Sequence, residues 1–114
     1  KWPDVKKILV IQDPTMQRRS LLSFERFFAK DEFPKLEEIV GYSLSFEEVL
    51  AKLPYSFEHY VSLLLGEIPR LRNDDNGYGP NGSNFIGACE IPEEVLAAFE
   101  TVRRHNPAAV RHMK

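Results

Sequence analysis

The sequence predicts a single α/β domain of three layers, in which helices cover both faces of a mostly parallel sheet. Strand-like and helix-like apolar patterns alternate along residues 5–69, as they do where helical crossovers join parallel strands. The length of 114 residues suits one domain, residues 1–114, with one core. Hydrophobic residues make up 43% of the chain and charged residues 28%, which is typical of a globular protein and not of a disordered one.

The first strand and helix follow from two adjoining apolar patterns. Residues 5–11 end in an apolar run rich in β-branched side chains, which predicts a buried strand. In residues 15–29 the leucines and most of the phenylalanines fall near one face, while arginine and glutamate largely take the other, which predicts a helix. Pro34 marks a break after this helix.

A second strand and helix are expected next. Residues 35–42 predict the second strand, which begins with charged side chains and becomes apolar. Ser45 followed three residues later by Glu48 matches the capping box of a helix start. An apolar stripe follows, and Pro54 ends this helix.

Residues 59–65 predict the third strand, because a short apolar run is bounded by breakers. A helix is the rival interpretation of the same run. Gly66 and Pro69 limit the length available to a helix, and they favour the strand.

The C-terminal half is less regular. Residues 70–87 contain two Asn-Gly pairs and a Gly-Pro, which predict a long irregular loop. Residues 85–89 predict a short strand, and Pro92 begins an amphipathic helix that ends at Asn106 and Pro107. Residues 108–110 would begin a further strand. The sheet is therefore expected to be incomplete at the C-terminus, with its last elements truncated, replaced by the loop or supplied by another chain.

Charge and cysteine content narrow the function classes. The chain has 15 basic and 17 acidic residues, so no basic excess predicts nucleic-acid binding. Its longest apolar run falls short of the about 20 residues that span a membrane. A single cysteine, Cys89, excludes an internal disulfide and fits a cytoplasmic protein. The first four residues lack the apolar core of a secretory leader.

A polar turn after the first strand is the first candidate site. Gln12, Asp13 and Pro14 follow the strand directly, where open α/β sheets place their ligands. Two adjacent acids there would bind Mg²⁺ through charged oxygens, but one of the two positions holds an amide. No metal site is predicted; the weak candidate ligand is Asp13, which Glu67 would have to join. The favoured interpretation is that Asp13 caps the following helix.

Three segments together resemble the receiver domain of bacterial response regulators. Residues 7–19 match its first strand, acidic turn and first helix. Residues 38–50 match its second strand and helix start, and residues 59–69 match its third strand, where the phosphoacceptor aspartate lies four residues before a proline. The resemblance covers residues 5–69 and implies a flavodoxin-like, receiver-like sheet.

The resemblance also implies a site that has lost its chemistry. In the family, an acidic pair holds the magnesium needed to phosphorylate the aspartate. Here Gln12 replaces one acid, and Leu65, which has no nucleophile, stands at the phosphoacceptor position. The expected site is a degenerate acidic pocket formed by Gln12, Asp13, Leu65 and Glu67. It would hold no cofactor, with Mg²⁺ as a weak alternative, and the chain is expected not to be an enzyme.

The glycine-rich loop is a second candidate site. Its spacing does not satisfy a Walker phosphate loop, since no lysine follows Gly82. A mobile surface loop is the favoured interpretation, and such loops often carry binding residues. The candidate partner contacts are Asn76, Gly77, Tyr78, Gly79 and Asn81.

The function expected from these features is that of a non-phosphorylatable pseudo-receiver. Such a module acts in signal transduction by protein–protein contact, with a signalling protein or with a second copy as a homodimer. One alternative is a small α/β enzyme, or a fragment of one, that binds an anionic, phosphate-like ligand through Asp13, Glu67 and the loop. Another is a bacterial interaction or immunity-type protein.

Overall fold

A computed structural model describes residues 4–29, 33–52, 54 and 56–109. Within these residues the chain is a mixed α/β structure in which helices outweigh strands. The elements in order are β1 (Lys7–Ile11), α1 (Gln17–Phe28), β2 (Glu38–Tyr42), α2 (Phe46–Leu50), α3 (Phe57–Leu71), α4 (Glu93–His105) and a 3-10 turn (Pro107–Ala109).

The β1–α1–β2 unit confirms the first half of the sequence interpretation. The two strands pair in parallel, with Lys7 beside Glu38 and Ile11 beside Tyr42. Helix α1 covers the face of the sheet that carries Val10, which is buried. The side-chain amide of Gln17 donates to the carbonyl of Val10 at 3.1 Å, so the start of α1 is fastened to the strand before it.

A glycine lets α1 approach β2 closely. A Cβ atom on Gly41 would collide with Nε2 of Gln17 and would lie 3.3 Å from Cδ2 of Leu21. The absence of a side chain at Gly41 therefore makes room for the side chains of Gln17 and Leu21. Helix α2 begins as the sequence predicts, because Ser45 and Glu48 form a complete capping box.

The prediction of a third strand at residues 59–65 is wrong, because these residues lie within α3. The helix has 15 residues and buries Tyr60, Val61, Leu65 and Leu71, which recur at helical spacing. Its start is capped by Ser56, whose hydroxyl accepts the backbone N–H of His59 at 3.2 Å. The helix contains both of the residues expected to break it, Gly66 and Pro69. Pro69 is tolerated because it lies in the last turn.

The cap at Ser56 is open to a direct test. Ser56→Ala should lower the free energy of unfolding by about 1 kcal/mol, because one N–H of the first turn loses its acceptor. Ser62→Ala is the control within the same helix, since that hydroxyl bonds only to the carbonyl of His59. Alanine is the better helix former there, so no loss is expected. Equal losses in urea unfolding of the two variants would contradict a capping role for Ser56.

The C-terminal half departs from the sequence interpretation at two places. Residues 85–89 form no strand; instead Ile86 is fully buried beside Leu22 and Leu71, with Tyr78 and Cys89 packed against this cluster. The predicted helix after Pro92 is confirmed as α4.

Beyond α4 no further strand begins within the described residues. Residues 108 and 109 belong to the 3-10 turn, and residue 110 lies outside the described residues. The described sheet thus has two strands, β1 and β2. In the described part of the chain, no helix is both long and apolar enough to cross a membrane.

Candidate functional site

The turn between β1 and α1 is organised by Asp13. One carboxylate oxygen of Asp13 accepts the backbone N–H of Thr15 at 2.9 Å and its hydroxyl at 2.7 Å. The side chain of Gln12 accepts the N–H of Asp13 at 2.9 Å. Helix α1 itself begins beyond Met16 without a side-chain cap. Asp13 therefore shapes the turn that leads into the helix, rather than capping the helix as the sequence had indicated.

Leu65 and Glu67 lie in the middle of α3, not at a strand end. Leu65 is buried and lines a cleft of about 150 Å³ between α3 and α4. Glu67 is buried as well, and its carboxylate faces two arginines. The predicted pocket residues thus have different surroundings: Asp13 bonds to Thr15 in the β1–α1 turn, while Glu67 bonds across to α1.

An ion-pair cluster of Arg19, Glu67 and Arg70 joins α1 to α3. Arg19 donates two hydrogen bonds to Glu67, from Nε to Oε2 at 2.6 Å and from Nη2 to Oε1 at 3.1 Å. Arg70 approaches the same carboxylate at 3.4 Å and donates to the carbonyl of Gly66 at 2.8 Å. The Glu67 side chain is only 7% exposed, so this cluster holds its charge away from water.

The surroundings of Arg19 favour its charged form. The hydrogen bond to Glu67 raises the pKa of the Arg19 guanidinium, and it outweighs the opposite effect of burial. The guanidinium carbon also lies 5.6 Å from the ring centroid of Tyr78, at the distance of a cation–π contact. The sequence pattern placed the arginines of this helix on the face opposite its leucines. The available signal for Arg19 was its spacing, because it lies three residues before Leu22 and so on the same side of the helix.

The glycine-rich loop does not offer its amides to a phosphate group. The N–H groups of Gly77, Gly79 and Gly82 donate to the carbonyls of Asp74, Arg72 and Gly79, at 3.0, 3.2 and 3.0 Å. A phosphate cradle needs such N–H groups to point at the ligand. Because these three are satisfied inside the loop, their arrangement stabilises the loop itself.

The five predicted partner contacts of the loop divide into inner and outer residues. Gly77 and Gly79 are buried, and Tyr78 is half-buried under Arg19 and beside Phe85. Asn76 and Asn81 are exposed, and the N–H of Asn81 donates to the side chain of Asn73 at 2.7 Å. The loop is therefore internally braced, and of the five predicted contacts Asn76 and Asn81 are the two that are well exposed.

The largest apolar feature of the sheet is its uncovered face, which sequence reasoning missed. Leu9 and Ile11 of β1 are 60% and 67% exposed, and Val40 and Tyr42 of β2 are 41% and 55% exposed. Leu9 pairs with Val40 and Ile11 with Tyr42, so the four side chains form one continuous surface. We call these four residues the sheet-face patch. An ion pair between Lys7 and Glu38, at 3.5 Å, borders the patch at its N-terminal end.

A second apolar surface lies at the C-terminal end of α1. An open groove of about 490 Å³ is lined mainly by phenylalanine rings, and Phe27 and Phe85 are 55% and 61% exposed. Phe28 and Phe33 pack together nearby, with ring centroids 4.5 Å apart. The residues that line the groove are Ser23, Phe24, Phe27, Phe28 and Phe85.

Neither a cluster of metal ligands among the described residues nor a family match assigns a chemistry to the site. Among the described residues, no group of three or more His, Cys, Asp or Glu side chains is placed to hold a metal ion. No protein-family model matches the sequence.

Proposed function

We propose that this chain is a non-phosphorylatable, receiver-like module that acts in regulation by protein–protein contact through the sheet-face patch. The observation that carries the proposal is the exposure of four large apolar side chains, Leu9, Ile11, Val40 and Tyr42, on one face of a parallel sheet. Parallel sheets in α/β proteins have both faces covered, and here the described residues cover only the face under α1.

Covering the patch would release apolar surface from water. Full burial of one exposed side chain of this size contributes about 1.5–3 kcal/mol, so covering four half-exposed ones gives on the order of 4 kcal/mol. Continuous apolar surfaces of this kind mark interaction sites in soluble proteins. The Lys7–Glu38 ion pair at the edge supplies the polar rim that such contacts have. These features support a protein partner.

In this proposal the partner supplies the third layer of an α/β/α arrangement. Helix α1 is one layer and the β1–β2 sheet is the second. The likeness to a receiver domain then rests on residues 7–19 and 38–50, because the segment once taken for the third strand is helical. The inactive character of the proposed module rests on Gln12, an amide at the position of one acid of the family's magnesium-binding pair.

A matched pair of variants tests the contact surface. Tyr42→Lys places a charge in the patch, whereas Phe57→Lys places one at the start of α3; the two aromatic residues are 55% and 56% exposed. A protein that binds through the patch should be retained from cell extract by the unmodified chain and by Phe57→Lys, and lost with Tyr42→Lys. Equal retention by both variants would refute the patch as the contact surface.

Intact-mass measurement tests the absence of phosphotransfer. The chain is incubated with acetyl phosphate and Mg²⁺, and no phosphoryl group should be added. Addition of one would instead favour an active receiver or a small enzyme for an anionic ligand. In that case the Asp13→Asn variant, treated in the same way, would show whether the β1–α1 turn takes part in the phosphorylation.

A further inference from the structure

The free edge of β1 presents backbone groups that no described residue satisfies. The N–H of Gln12 donates to the carbonyl of Tyr42, and the carbonyl of Lys6 accepts from Glu38, so even-numbered residues of this strand point their backbone groups toward β2. Because these directions alternate along a strand, the N–H and C=O groups of Lys7, Leu9 and Ile11 point the other way. Among the described residues, β1 is thus an open edge of the two-stranded sheet.

This edge has the properties of a pairing strand. Leu9 and Ile11 are the most exposed side chains of the sheet-face patch, at 60% and 67%. Exposed, apolar edge strands are templates for further strands, and natural proteins usually protect them with charge, proline or a covering element. Lys7, at the first position of β1, is the one charged residue of this strand, and the four residues after it contain neither charge nor proline.

We propose that the β1 edge binds the β1 edge of a second copy of this chain in antiparallel orientation. The pairing joins the two sheets into one of four strands, ordered β2, β1, β1 of the partner and β2 of the partner. It relates the two copies by a two-fold axis, as in most homodimers. It leaves the sheet-face patches side by side on one face of the enlarged sheet, so it is independent of the contact proposed above.

Charge and apolar character set the register of the pairing. With the two-fold axis at Val10, Leu9 lies opposite Ile11 of the other copy, and Lys7 lies opposite its Asp13. Both pairings occur twice by symmetry, and cross-strand pairs of this kind stabilise a sheet. The Lys7 side chain is 68% exposed and contacts Glu38 of its own chain at 3.5 Å, so the pairing adds Asp13 of the other copy as its second acidic neighbour. Asp13 lies two residues beyond the end of β1, and the Thr15 bonds use one of its two carboxylate oxygens. Moving the axis to Leu9 would place Lys7 opposite an isoleucine instead.

The alternative in which two copies stack face to face is less well supported. Stacking would cover the sheet-face patches, but it would leave the N–H and C=O groups of Lys7, Leu9 and Ile11 without protein partners. Edge pairing instead supplies backbone hydrogen bonds that no face-to-face contact satisfies.

Site-specific crosslinking tests both the pairing and its register. Leu9→Cys and Ile11→Cys are each made in a Cys89→Ala background, since Cys89 is the chain's one cysteine. A short bifunctional thiol reagent is then applied to each variant alone and to their mixture. The mixture should crosslink several-fold faster than either variant alone, because directly opposed residues have Cα atoms about 5.5 Å apart, whereas diagonal neighbours lie about 7–8 Å apart.

Val40→Cys in the same background is the matched control. Val40 is also exposed on the patch, but it lies on β2. In the proposed sheet its two copies are separated by three strand spacings, roughly 14 Å, and should crosslink poorly. Equal rates for Val40→Cys and for the mixture would refute edge pairing.

Sedimentation of the unmodified chain gives a test that needs no substitution. A reversible monomer–dimer equilibrium should be observed, and added salt should weaken it because the Lys7–Asp13 pairs lie at the surface. A chain that stays monomeric up to its solubility limit overturns the proposal. This outcome would leave the Tyr42→Lys test of the proposed partner contact unaffected, because that test requires no dimer.

Discussion

Replacing Gly77 or Gly82 with alanine is expected to lower the free energy of unfolding by about 3 kcal/mol each, because backbone atoms occupy the space a Cβ would need. At Gly77 the Cβ would collide with the carbonyl oxygen of Arg72 and lie 2.7 Å from its carbon. At Gly82 it would collide with the carbonyl oxygens of Asp74 and Gly77. Backbone cannot move aside as a flexible side chain can, so the loop must rearrange.

Gly87→Ala is the control for this prediction. No atom lies within 4 Å of the Cβ position at Gly87, and no described glycine has a positive φ. The substitution should therefore leave stability unchanged or raise it by about 0.5 kcal/mol, through the lower entropy of the unfolded chain. Urea unfolding of the three variants checks the contrast. If Gly77→Ala and Gly82→Ala unfold at the same urea concentration as Gly87→Ala, the loop is not packed as described.

The outcome bears on whether the loop is mobile. A mobile loop would accommodate alanine at any of these positions at little cost. In the structure the loop is closed by its own backbone bonds, and it ends at the fully buried Ile86. Asn84 has a backbone φ of 59°, which is the left-handed conformation that asparagine tolerates better than most residues. The expected losses would show that this segment contributes to the core and does not move freely.

Glu67→Ala is expected to cost about 3 kcal/mol of stability, since it leaves the partly buried Arg19 and Arg70 without their shared carboxylate. The Arg19 and Arg70 side chains are 20% and 24% exposed, so water compensates only in part. Removing this carboxylate also removes the direct ionic link between α1 and α3. Thermal unfolding followed by circular dichroism measures the loss.

Two controls separate the buried cluster from ion pairs in general. Glu100→Ala removes the exposed partner of Arg103, and its unfolding midpoint should stay close to that of the unmodified chain. The double variant Arg19→Met with Glu67→Leu should recover part of the loss, because Arg70, at 3.4 Å from Glu67 and 24% exposed, is then the one arginine left without this carboxylate. A Glu67→Ala midpoint equal to that of Glu100→Ala would contradict a structural role for the cluster.

The regular elements of the first half could be predicted because their signals are local. The apolar strand ending at Ile11 and the capping box at Ser45 act through near neighbours, and the structure forms both elements. Helix α4 belongs with them, since Pro92 and the two glutamates after it mark its start within one turn. Their boundaries shifted by only a few residues, as happens where helix ends and strand ends fray.

The third segment could not be assigned from local pattern alone. A seven-residue apolar run at residues 59–65 satisfies both a buried strand and a buried helix. The choice depends on what covers the run. In the structure α4 packs against α3, and Ser56 caps the start of α3. Glu67 of α3 accepts hydrogen bonds from Arg19 of α1. Residues two positions apart share one face of a strand but point in different directions on a helix. Leu65 and Glu67 therefore have separate surroundings in α3.

The sequence by itself determined the β1–α1–β2 unit, the capping box at the start of α2 and the start of α4 after Pro92. These depend on residue type and on neighbours a few positions apart. Only the tertiary structure decided that Arg19 is a partly buried partner of Glu67, that the glycine-rich loop is braced, and that the described residues leave the sheet-face patch uncovered. Each of these depends on which surfaces meet after folding, because burial and pairing are properties of contacts between segments distant in the chain.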